Sequence, residues 1–425
     1  MRPLAAYFRS LNPRLPRPVQ ILQLGALVNA FGNGIAYPFL FIYLHNVRGF
    51  SLGTAGLIVA TNAAVGLLAG PVAGALVDRV GGRRTLGVAL ILMALGFGGY
   101  PLVHESWHGF LASAIAGIGN GAFWPSQSTL IAGLTPQERR PAAFAMQRVM
   151  MNLGIGLGGL VGGLIATTSS PGTFTVLFLV DAATFLAYIG ALAFVPEPRR
   201  ETGHADGRPG SYLDVLRHRV FVGVLALNVV FIAAGMAQLE TLPVYAKNEA
   251  SVSELGIGLV FFVNTLVIVL AQLPLAKLLE GRRRMKTLAL LGLVWALAWL
   301  LVPVGGVFFA GAAAAAMLAF AAAVFAIGEC LHGTVQAPLV ADLADHRLLG
   351  RYMASSAFSW QVGFTIGPAA GGFALALSPS GLWIVAAAIC VLAGAGALML
   401  ERAIPTNVRR TPLVAREAAP LPAEL

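Results

Sequence analysis

The chain has 425 residues, 57% of them hydrophobic and 11% charged, with a mean hydropathy of +0.79. Soluble domains carry about 25% charged residues, so a water-soluble fold is excluded. Apolar runs recur along the whole length, which also excludes a soluble enzyme held by one anchor.

The start, Met1 to Pro18, is basic and proline-rich, and the first apolar run is long enough to span a bilayer, unlike a cleavable signal. Runs near the ~20 residues that a bilayer core needs fall at 20–44, 55–77, 85–103, 108–132, 142–166 and 173–195. A second set falls at 220–244, 255–279, 287–307, 310–334, 353–377 and 381–401. Only helices and closed barrels satisfy the backbone in lipid, and runs this long are helices. The expected fold is an all-α membrane protein of twelve transmembrane helices. It divides into a six-helix bundle over 1–195, a cytoplasmic linker over 196–219, a second bundle over 220–402 and a tail over 403–425.

The net charge of +10 is distributed by side. Arg2, Arg9, Arg14, Arg17, Arg79, Arg83, Arg84, Arg139, Arg140, Arg199, Arg200, Arg208, Arg217 and Arg219 fall on one side of an even-numbered topology. So do Arg282, Arg283, Arg284, Lys286, Arg347, Arg351 and the basic tail, whereas the other side holds Arg48 and Lys247. This is the positive-inside pattern with both ends cytoplasmic, as expected for a multi-pass plasma-membrane protein. The clusters read as topology determinants beside anionic lipid, not as a nucleic-acid surface. Cys330 and Cys390 lie in apolar runs and imply no disulfide framework or metal site. No cofactor is expected, and a monomer is.

In chain order, Asn29, Asn33 and Tyr37 recur every four residues on span 1. The loop after span 2 carries Gly74, Asp78, Arg79, Gly81, Gly82, Arg83 and Arg84, with an acid suited to the positive end of a neighbouring helix dipole. Span 4 carries Asn120, Phe123, Trp124 and Gln127. Span 5 carries Arg148 in its inner part, then Gly154, Gly158, Gly162 and Gly163. Asp181 lies on span 6, Glu240 on span 7, and Glu329, His332 and Gln336 on one face of span 10. Span 11 carries Trp360 and Gln361, then Gly363, Gly367, Pro368, Gly371 and Gly372. Aromatic walls with a few polar groups suit mixed apolar ligands, so these residues of spans 1, 4, 10 and 11 form the candidate cavity. The alternative for each is a hydrogen bond between helices or a lipid-facing ring.

The halves repeat. At an offset of 202, Tyr43, Asn46, Asn62 and Asp78 meet Tyr245, Asn248, Asn264 and Glu280. At an offset of 209, Gly119 and Gln127 meet Gly328 and Gln336, and the four glycines of span 5 meet Gly363, Gly367, Gly371 and Gly372. Parallel six-helix repeats imply two bundles with a site between them near the midplane.

The loop from Gly74 to Arg84 resembles the signature loop of the major facilitator superfamily, G-x-x-x-D-R-x-G-R-R, with Gly82 standing where the first closing arginine is expected. That resemblance implies that Asp78 helps hold the halves closed on the cytoplasmic side. The glycine pattern of span 5 is similar to the exporter signature of twelve-helix drug:proton antiporters, although the proline stands on span 11 instead. Those antiporters carry an arginine in span 4, where this chain has Ser113. Arg148 either substitutes for it or snorkels to the surface.

Charges inside spans mark function by default, and burial favours the protonated form of a carboxyl group. Glu329, Glu240 and Asp181, with Arg148, are therefore the proton-coupling candidates, Asp181 and Glu240 lying where a solvated mouth would also explain them. No nucleotide-binding G-x-x-x-x-G-K-[ST] occurs. The expectation is a secondary transporter, not an enzyme. It exports amphiphilic small molecules in exchange for protons by rocker-switch alternating access. An importer or facilitator of a defined metabolite is the alternative.

Overall fold

The computed structural model describes residues 15–198, 212–345 and 348–411. Arg2, Arg9, Arg14, Arg199, Arg200, Arg208 and Arg347, most of the expected linker and the tail beyond 411 lie outside the described residues.

Among the described residues, twelve long helices cross the molecule. The first half comprises α1 (Arg17–Ile42), α2 (Leu52–Val80), α3 (Gly82–Gly99), α4 (Ser106–Leu134), α5 (Arg140–Ile165) and α6 (Gly172–Leu192). The second comprises α7 (Arg219–Ala234), α8 (Glu254–Leu278), α9 (Arg284–Phe308), α10 (Gly311–Leu343), α11 (Leu349–Leu377) and α12 (Pro379–Leu400). A short helix, Tyr212–Arg217, precedes α7. Ten spans are long and apolar enough to cross a membrane by length and composition alone. The other two, α4 and α11, carry the glycines and polar aromatics that dilute their hydropathy.

Helix α10 outruns its apolar stretch by a further nine residues, to Leu343. Its end, from Thr334, stays helical through Pro338, with Val335, Leu339, Val340 and Leu343 buried. The turns α2–α3 and α8–α9 are made by Gly81 (φ 104°) and Gly281 (φ 70°), where an L side chain would be strained. Pseudo-symmetry is least exact at the first span of each half. Helix α1 runs on through a wide turn, Tyr43–Val47, whereas α7 breaks at Gly235. A tight turn, Met236–Glu240, follows, then a short helix, Leu242–Asn248.

Broken backbone inside a bilayer must find partners within the protein. The Trp299 indole N–H donates to the Ala234 carbonyl at 2.9 Å, and the Gln238 amide donates to Ala233 and Gly367 carbonyls. Trp295 fills the space that a Cβ at Gly235 would take. Trp299 is fully buried against Phe325 and Trp383. Trp299→Phe keeps an aromatic ring and strands the Ala234 carbonyl, at a cost of about 1–3 kcal/mol. The expected outcome is a lower thermal unfolding midpoint in detergent; an unchanged midpoint contradicts this account of the break.

Candidate functional site

The halves meet along two helix crossings, α5 with α8 and α2 with α11. A Cβ at Gly163 would stand 2.6 Å from the Glu254 carbonyl oxygen and 3.1 Å from the Gly258 Cα. A Cβ at Gly372 would collide with the Leu52 carbonyl and stand 3.1 Å from the Gly56 Cα. These contacts are mates: the offset of 209 carries Gly163 to Gly372, and that of 202 carries Leu52 and Gly56 to Glu254 and Gly258. The remaining repeat glycines serve their own halves. Gly154, Gly158 and Gly162 seat α1 against the backbone at Leu27, Phe31 and Ile35. Gly363, Gly367 and Gly371 seat α7 and the turn after it. Pro368 lies within α11, and its carbonyl faces Gly56.

Both crossings lie toward the end that carries the α1–α2 and α7–α8 loops, and polar bonds join the halves there. Tyr37 donates to Glu240 Oε1 at 2.9 Å, and the Asn46 amide donates to Asn248 at 2.7 Å. Asn46 and Asn248 are repeat mates, so their contact lies near the pseudo-twofold axis. Glu254 accepts from the Thr168 backbone N–H of the first half and from Lys247, each at 2.9 Å.

The opposite end gathers the arginines. Asp78 is exposed, and among the described residues no hydrogen bond or ion pair engages it. A Cβ placed at Gly74 of α2 or Gly350 of α11 would meet nothing within 4 Å. The acid at the start of α3 is Glu197, which accepts from the Arg83 backbone N–H at 3.1 Å and packs against Gly81. Arg83 also donates to the Val195 carbonyl, while Arg84 is exposed and Arg79 sits at the end of α2. In the second half Glu401 pairs with Arg283 at 3.3 Å, and the buried Arg284 pairs with Asp342.

Among the coupling candidates, Glu329 accepts from the Asn264 amide at 2.7 Å. Its position repeats that of Asn120, which donates to Asn62 at 3.1 Å. The same framework thus holds an amide pair in one half and an acid–amide pair in the other. Glu240 sits at the break in α7, with Oε2 buried and without a hydrogen bond. Asp181 is fully buried beside Gly32 and Thr184, with neither carboxylate oxygen hydrogen-bonded. Packing of α6 on α1 inside the first half encloses it, so the solvated-mouth explanation does not hold for Asp181. Arg148 is exposed, and its Nη2 would lie 2.6 Å from a Cβ at Gly333 of α10, in the other half.

The candidate cavity residues divide. Asn33, Tyr37, Asn120, Trp360 and Gln361 are half-exposed, and Trp124 is exposed. Gln361 approaches Gly66 of the other half. Asn29, Phe123, Gln127, His332 and Gln336 are buried. Gln127 is bonded to Tyr188 and Gln147 within its own half. His332 bonds Asn228 and stacks on Trp295, with its edge toward Trp360. Sequence reasoning missed Glu254, Thr168, Lys247 and Glu197. Asn46, Asn248 and Asn264 were visible only as repeat matches: the first two sit at loop edges and look like ordinary solvated positions, and Asn264 is an amide within an apolar helix.

The sequence profile of the Major Facilitator Superfamily matches residues 22–304 and 229–423. The chain is 27% identical to an uncharacterized MFS-type transporter, YhjO, of Bacillus subtilis (strain 168), over 91% of this chain and 93% of that one. It is 26% identical to the multidrug resistance protein MdtH of Cronobacter sakazakii, over 83% and 85%. A peptide transporter crystallised with sulfate superposes with a TM-score of 0.76 at 15% identity, over 93% of this chain and 95% of that one. Twelve helices in two repeated halves, the loop at Gly74–Arg84 and this profile match agree: the chain belongs to the Major Facilitator Superfamily, as a multi-pass membrane transporter and not an enzyme.

Proposed function

We propose that the protein is a plasma-membrane exporter of amphiphilic small molecules that exchanges them for protons by alternating access. Its halves cover 1–195 and 220–402, joined by the linker 196–219 and followed by the tail 403–425, and it works as a monomer. The arginine-rich end and both termini face the cytoplasm by the positive-inside rule. The structure then corresponds to the inward-facing state, sealed outside by the glycine crossings and the bonds at Glu254, Asn46 and Tyr37.

The observation that carries the reading is the Asn264–Glu329 pair at the place where the repeat holds Asn62 and Asn120. A neutral pair already satisfies this position, so the ionisable group is not needed for packing. A carboxyl that holds and releases a proton there explains its presence. Glu240 adds a second acid at a discontinuous helix, the kind of place where transporters hold coupling ions. Its bond to Tyr37 ties its state to the outer seal. The similarity to MdtH supports drug-like cargo. A defined-metabolite importer is the second reading, and a screen of polar metabolites against amphiphiles separates the two.

In proteoliposomes with an imposed pH gradient, the wild type is expected to drive export only with the gradient present. Glu329→Gln keeps the Asn264 bond and should retain ligand binding, with gradient-driven export falling at least tenfold. Export indifferent to the gradient, or unchanged in the variant, overturns the assignment. The outer seal has its own test. Glu254→Gln weakens charge-assisted bonds to Thr168 and Lys247, each worth about 1.5–3 kcal/mol. With Cys330 and Cys390 replaced by alanine, the buried-site variant Val260→Cys should react with maleimide several-fold faster in the Glu254→Gln background. An equal rate removes Glu254 from the seal.

A further inference from the structure

Arg148 is the most deeply placed cation among the described residues. It lies eight residues beyond Arg140 at the start of α5, about 12 Å along the helix. Its guanidinium reaches across the boundary between halves and rests against Gly333 of α10. Among the described residues no carboxylate forms an ion pair with it. The nearest acid along α10, Glu329, is one turn away and is taken by Asn264. A charge inside a bilayer without a bonded partner is costly and marks an ion or substrate path, although this one lies near enough to Glu329 to act on its carboxyl group electrostatically.

The repeat sharpens this. At the offset of 209, Gly333 corresponds to Trp124 and Arg148 to Ala357. One symmetry-related pair is a tryptophan and an alanine; the other is a glycine and an arginine. The large group has moved from α4 to α5, and the glycine leaves the space that the guanidinium occupies. A Cβ at Gly333 would force the guanidinium to shift. A topology residue snorkelling to the surface needs no such cradle on the opposite half.

We propose that Arg148, cradled by Gly333, is the subsite for an anionic group of the transported molecule, of the carboxylate type. A guanidinium offers a planar fork of N–H donors matched to the two oxygens of a carboxylate. The site therefore selects amphiphiles bearing an acid group over their neutral counterparts. This rests on the reading of the space between the halves as the substrate path.

The test uses the purified full-length protein with 1-naphthaleneacetic acid and its methyl ester as probes, with equilibrium binding measured apart from transport. The wild type should bind the acid at least tenfold tighter than the ester. Arg148→Gln should abolish that preference, bringing the acid-to-ester affinity ratio to about one. Arg148→Lys should restore part of it, and Gly333→Ala, which displaces the guanidinium without removing its charge, should reduce it. Equal binding of acid and ester by the wild type, binding of neither, or a preference that survives Arg148→Gln overturns the proposal. An Arg148-dependent preference without gradient-driven export leaves this subsite standing and removes the export reading. Gradient-driven export without the preference does the reverse.

Discussion

The structure depends on two places where backbones of opposite halves touch without side chains between them. Gly163 against Glu254 and Gly258, and Gly372 against Leu52 and Gly56, bring helices together closely enough for carbonyls to face Cα atoms. In lipid no hydrophobic force draws helices together, so close van der Waals approach of small residues does that work. Because the two crossings are symmetry mates, they act as a matched pair of contacts on either side of the axis marked by Asn46 and Asn248. The other repeat glycines fasten α1 and α7 inside their own halves, so each half is firmly packed while the main contacts between halves are these crossings and a few polar bonds.

The proposed function is built from departures from that symmetry. The shared scaffold accepts Asn120 on one side and Glu329 on the other, each held by the corresponding asparagine of α2 or α8. Helix α1 is continuous where α7 breaks, and the break sets Glu240 against Tyr37 of the opposite half. The Trp299 and Gln238 donors make the break tolerable by satisfying the freed carbonyls. Trp124 and Ala357 on one side answer Gly333 and Arg148 on the other. Each asymmetry puts an ionisable or polar group where the mate position is neutral, and each lies at or near the boundary between halves.

The sequence made the twelve helices and the repeat legible, because hydropathy, charge alternation and glycine spacing are local or periodic signals. It also marked Glu329, Glu240 and Arg148 as charges out of place. It did not reveal partners. Nothing in the spacing says that Glu329 meets Asn264 or that Arg148 rests on Gly333, since these contacts join residues far apart in the chain. His332 and Gln127 shared a helix face with cavity candidates, yet bonds to Asn228 and Tyr188 turn them into their own bundles. The signature loop drew attention to Asp78, whereas the carboxylate at the start of α3 comes from Glu197, beyond α6. Asp181 reads in the sequence as a coupling candidate or a mouth residue, whereas packing of α6 on α1 buries it with both oxygens unbonded.

The central claim is that the halves rock as units about the paired crossings. Spin-label distances in lipid nanodiscs test it most directly, with one pair at Gly74 and Gly350 and the other at the exposed Ser170 and Glu249 of the opposite end. On adding a transported amphiphile or changing pH, the account predicts that the first distance shortens as the second lengthens. Two distances that change in the same sense, or that stay fixed while transport proceeds, would contradict it.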